Sequence, residues 1–96
     1  MQTVRQRKPR EKDEKYLEYI RTKDCITPLC WNSSEPHHLI SRGAFGSDYS
    51  SVPLCRYHHS EIEATGVSKF EERWGVNVWK EAFKCLLEYF REKIGI

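Results

Sequence analysis

Apolar residues recur at helical spacing near both ends of this 96-residue chain, and the stretch between them is patterned differently. In "DEKYLEYIRTK" (13–23), Tyr16, Leu17, Tyr19 and Ile20 predict one helix of about three turns, with Asp13 placed to cap its start. Near the other end, Val78, Trp79, Ala82, Phe83, Leu86, Tyr89 and Phe90 form an apolar stripe and predict a helix of about four turns. Between them, His38-Leu39-Ile40 reads as a short strand and Ser51-Val52-Pro53-Leu54 as its return, with Gly43 and Gly46 in the connecting loop. Pro53 has no N–H and confines the second strand to an edge or an end. "RYHHSEIEATG" (56–66) predicts a short helix stopped by Gly66, and 67–76 is mixed, with Phe70 and Trp74 at i,i+4. Trp31, Trp74 and Trp79 are expected to pack rather than to stack on bases. Residues 1–11 show no apolar period, and Pro9 blocks an early helix. The chain therefore divides into a basic, flexible arm (1–11) and a single domain (12–96) of α+β class.

Charge sharpens that division. The first twelve residues hold five basic side chains against Glu11 alone, whereas the remaining 84 hold 11 basic and 13 acidic ones. A basic arm on a near-neutral body suits a phosphate-bearing partner, since each neutralised phosphate releases counterions; a solubilising tail has the same composition. No apolar run follows the basic start, and none approaches the roughly 20 residues of a membrane span. A soluble, cytoplasmic protein without a membrane partner is expected, and in a reducing compartment four cysteines beside four histidines favour metal over disulfides.

The ligand pattern is C-x4-C, then 24 residues, then C-x2-H: Cys25, Cys30, Cys55 and His58. Zinc takes four sulfur or nitrogen donors tetrahedrally, and two ligand pairs on tight turns suit a structural site that staples a thin core. Cys85 lies within the apolar stripe with no second ligand near it in sequence and is expected to be a core residue. All four histidines come as the doublets His37-His38 and His58-His59. If His58 goes to zinc, His59 points about 100° away on the same helix, on one face with Glu63, which makes a half-site for a divalent cation. The missing donors would come from His37 and His38.

With the cysteine pair, "PHHLI", "SDYSSVPLC" and "RYHHSEIE", and with "PREKDEKYLEYIRTKDC" before them, the chain resembles HNH (ββα-metal, His-Me finger) endonucleases of the small phage- and prophage-associated type. The resemblance covers roughly residues 9–75 and rests on the ordered combination. It implies a small zinc-stapled domain with a ββα-metal core, preceded by one helix and followed by a long C-terminal helix. It implies His38 as the general base, and His37 and His59 as ligands of a catalytic divalent cation (Mg²⁺, Mn²⁺ or Ni²⁺). Glu63 stands where such families place a further histidine or asparagine. Their middle asparagine has no clear counterpart here, and Asp48 lies in that region. Arg42 and Arg56 flank the site as candidate phosphate contacts. The activity implied is metal-dependent hydrolysis of DNA, in a bacterial host cell, with a protein partner as a possible source of substrate. The rival is an inactive zinc module that binds nucleic acid or protein.

Overall fold

A computed structural model describes residues 10–95. Helix α1 (Glu14–Arg21) starts where the Asp13 side chain accepts the Tyr16 N–H. Strands β1 (Glu35–His38) and β2 (Ser51–Leu54) form a two-stranded antiparallel ribbon in which His37 faces Val52 and His38 faces Ser51. Short 3-10 turns at Arg42–Ala44 and Asp48–Ser50 shape the loop between them. Three helices follow: α2 (Arg56–Thr65), α3 (Val67–Trp74) and α4 (Val78–Ile94). The architecture is α+β, as its sequence predicts. Among the described residues no helix is long and apolar enough to cross a membrane.

The ribbon tolerates two prolines because they face each other. Pro36 pairs with Pro53, so their missing N–H groups fall together at a position where an antiparallel ladder exchanges no hydrogen bonds. Pro53 still uses its carbonyl, which accepts the Ile26 N–H at 3.0 Å and ties the first cysteine turn to the free edge of β2. The first strand lies earlier than His38-Leu39-Ile40: it ends at His38, because past Ser51 its partner turns away into the 3-10 segment. Leu39 keeps one further bond, to the Ser50 carbonyl. The loop then closes on itself at Gly46, where a Cβ would collide with the Ile40 carbonyl oxygen. Only glycine fits there, and Asp48, two residues on, lies within hydrogen-bond reach of His38.

Every residue of β2 is buried, and Val52, Leu54, Ile62, Phe70, Val78 and Ala82 form one core cluster with Cys25 and Cys55. Tyr16, Ile20 and Cys85 form a second cluster between α1 and α4, so Cys85 is the core residue its position predicts. Residues 67–76 are more regular than their mixed pattern indicates, since α3 runs unbroken until Gly75 adopts a left-handed conformation (φ 65°). The α4 stripe is only partly covered. Val78, Ala82 and Cys85 point inward, while Trp79, Phe83 and Phe90, rotated away on the same helix, stay about half exposed or more. A two-stranded ribbon and one short helix are too narrow to cover the full stripe. Of the tryptophans expected to pack, Trp74 does so, whereas Trp31 is 72% exposed.

Candidate active site and metal centres

Cys25 and Cys30 are brought together by a turn in which the Cys30 N–H reaches the Thr27 carbonyl and Leu29 adopts φ 63°. Cys55 follows β2 and caps α2, accepting the His58 N–H on its sulfur. His58 Nδ1 then lies 3.5 Å from Cys25 Sγ and 3.2 Å from Cys55 Sγ, with Cys30 Sγ 3.9 Å from Cys55 Sγ. Donors held about 2.0–2.3 Å from a tetrahedral ion sit roughly 3.3–3.8 Å apart, so this set fits a metal such as zinc. Burial works against a thiolate at Cys55, but the His58 N–H and the neighbouring thiols outweigh it and lower its pKa. Burial pushes the Cys30 thiol up. Trp74 and Phe70 stand edge-on to the His58 ring and close the cluster from the core side.

His59, one residue on, faces the other way. Its donor groups with those of His37 and Glu63, all within 4.8 Å of one another. The His37 and His59 rings are 4.8 Å apart, and Glu63 Oε2 lies 3.3 Å from His59 Nε2. Burial, with His59 beside it, pushes the His37 pKa down to about 4, so at neutral pH its imidazole is in the form that ligates metals. Glu35 completes the arrangement: its Oε1 lies 2.5 Å from His59 Nδ1, which leaves Nε2 to face the shared centre. Glu35 lies ahead of the strand its sequence predicts, at the true start of β1. The available signal was strand periodicity, since residues two apart share a face and Glu35 precedes His37 by two. A carboxylate behind a ligating imidazole fixes its tautomer, and its loss typically lowers metal affinity about 10–100-fold. If these three donors hold a divalent cation, Glu35→Ala should weaken binding of Mn²⁺ or Ni²⁺ there by that factor, read by calorimetry, with no effect on metal added to the four-donor cluster.

His38 meets a different carboxylate. Its Nε2 is 2.8 Å from Asp48 Oδ1, and among the described residues Nδ1 has no hydrogen-bond partner. The Asp48 side chain is 3% exposed. Burial opposes its charge, but bonds from His38, from Arg10 and from the Asp13 N–H prevail and hold its pKa at about 2. His37, His38, His59, Glu63 and Arg42 line one open hollow of about 640 Å³. Arg42 is exposed on its rim, and Arg56 is exposed as well but reaches Glu35 at 3.3 Å. A separate hollow of about 570 Å³ beside Phe83, Phe90 and Ile94 is apolar and contains none of the histidines. The arm expected over 1–11 lies outside the described residues up to position 9. Arg10 and Glu11 are tied to the domain, through the Asp48 side chain and backbone N–H respectively.

The uncharacterized protein YdfU of Escherichia coli (strain K12) is 37% identical to this chain over 68 residues, which are 65% of this chain and 19% of that relative. The chain thus matches about a fifth of the relative's length. No solved structure matches. The family described as "Protein of unknown function (DUF968)" matches residues 3–89, a span that includes both donor clusters and the His38–Asp48 pair. This chain therefore belongs to the DUF968 family.

Proposed function

We propose that this chain is a metal-dependent endonuclease of the HNH type that hydrolyses phosphodiester bonds in DNA. The observation that carries the reading is one open hollow holding two kinds of group: a three-donor set of His37, His59 and Glu63, and a histidine whose Nε2 is engaged by a buried carboxylate. A divalent cation held by the three donors would supply the positive charge that stabilises a phosphodiester transition state.

The protein side of the reaction follows from the His38 ring. With Nε2 bound to Asp48, Nδ1 is the nitrogen left to take a proton from water as its oxygen attacks phosphorus; the P–O bond to the leaving sugar oxygen breaks, and that oxygen is protonated from solvent. Asp48 fixes the tautomer and the ring plane and stays ionised. Arg42, exposed on the rim, is placed to meet a backbone phosphate. The Cys25, Cys30, Cys55 and His58 cluster takes no part in the chemistry and holds the root of α2, from which His59 and Glu63 project.

The test is relaxation of supercoiled plasmid by zinc-loaded protein, with and without Mg²⁺, Mn²⁺ or Ni²⁺, alongside a count of bound metal. Cutting that needs the added ion, with a second and exchangeable metal per chain, is the expected result. One tightly bound metal and no cutting of any nucleic acid would identify an inert zinc module and overturn the proposal.

A further inference from the structure

The segment Arg10–Asp13, just ahead of α1, converges on one carboxylate. Arg10 Nη1 lies 2.6 Å from Asp48 Oδ1 and 3.3 Å from the Gly46 carbonyl oxygen. The Glu11 carbonyl accepts the Asp48 N–H at 3.0 Å. The Asp13 N–H donates to Asp48 Oδ2 at 2.8 Å, and the Asp13 carboxylate accepts the Tyr49 hydroxyl at 2.6 Å while capping α1. Of these five contacts, three restrain Asp48 itself, one restrains its neighbour Tyr49 and one restrains Gly46.

The division of labour on the carboxylate is informative. Oδ2 is taken by the domain's own backbone, and Oδ1 is shared between His38 and Arg10. A buried carboxylate is stable only when a counter-charge pairs it. Arg10 provides that charge, and by reaching Gly46 it also fixes the turn on which Asp48 sits. The guanidinium side chain is itself largely buried, as a structural strut would be, rather than presented to solvent as a phosphate contact is.

We infer that Arg10 is a positioning residue that acts through Asp48 to lock the His38 ring with Nε2–H donated inward and Nδ1 open to the hollow. It does not touch substrate. The kinetic consequence rests on the endonuclease reading above; the structural consequence does not.

Two measurements separate them. In the zinc-loaded full chain, long-range ¹H–¹⁵N spectra of the histidine rings report the tautomer of each imidazole. His38 is expected as a single Nε2–H form in the wild type and as a tautomer mixture in Arg10→Ala, with Arg10→Lys restoring part of the wild-type signal. In plasmid cleavage, Arg10→Ala should lower kcat about 10–100-fold, the range for losing an outer-shell orienting partner, with KM within about twofold. Arg10→Gln, closer in size, serves for both measurements if the alanine variant does not fold, as judged by its retained zinc. An unchanged His38 tautomer overturns the inference whatever the kinetics show. A rise in KM at constant kcat also overturns it, since that marks Arg10 as a phosphate contact. If the wild type cleaves nothing, the endonuclease reading fails, and the ring spectra still decide whether Arg10 holds His38.

Discussion

Under the proposed endonuclease function, replacing His38 with alanine should lower metal-dependent DNA cleavage by about 10²–10⁴-fold, the range a positioned general base contributes. The substitution removes a ring nitrogen, Nδ1, that has no hydrogen-bond partner among the described residues and lies outside the three-donor group. It should leave the rest of the molecule intact, because Asp48 keeps Arg10 and the Asp13 N–H as partners and the carboxylate remains paired. The variant is expected to fold, to retain the metal of the cysteine cluster and to bind the exchangeable cation almost as tightly as the wild type. The measurement is a single-turnover rate on supercoiled plasmid, with bound metal and thermal unfolding determined on the same sample. Cleavage at the wild-type rate by a clean preparation would place the base elsewhere. His37→Ala provides the contrast: it should lose affinity for the second cation first and recover rate as that ion is raised.

The second large effect is on folding. Stripping the Cys25, Cys30, Cys55 and His58 cluster, with a high-affinity chelator or by Cys55→Ala, should abolish the cooperative unfolding transition. Metal coordination by such donor sets contributes about 10–16 kcal/mol of apparent binding energy at neutral pH, as much as or more than the roughly 5–15 kcal/mol by which whole domains are stable. Cys55 also closes β2, caps α2 and belongs to the main core cluster, so its environment disperses with the ion. Circular dichroism should show loss of helix on chelation and recovery when Zn²⁺ is returned. A sharp thermal transition persisting in metal-free protein would show that the core stands alone. Cys85→Ala, buried in the second core cluster and outside the donor set, should lose only the stability of a small cavity.

What the sequence makes legible is what is local. The Asp13 cap, the Gly66 stop and the α4 pattern can be read from neighbouring residues, and so can the two ligand pairs. The opposed directions of His58 and His59, and the alliance of His59 with Glu63, follow from helix geometry alone. The rest depends on contacts between distant segments. The end of β1 is set by where its partner strand turns away: His38 is the last residue to pair, with Ser51, 13 positions further on, and no pattern around Ile40 reveals it. The choice of which half of the α4 stripe to bury depends on the width of the ribbon it covers. Glu35 and Arg10 look like ordinary surface charges in sequence, and each acquires its role from a partner 24 or 38 positions away.

The adjacency of His58 and His59 has a consequence for how chains of this kind can change length. Both donor clusters are indexed to the same turn of α2, one by each residue of the doublet. A single residue added or removed between Cys55 and His58 would turn the remainder of the helix by about 100° and put both clusters out of phase in one step. The loop from 39 to 47 carries no metal donor and can absorb such an indel, provided that Gly46 and the approach to Asp48 survive. The spacing from Cys55 to Glu63 is therefore a fixed gauge, and length variation belongs on the far side of the ribbon.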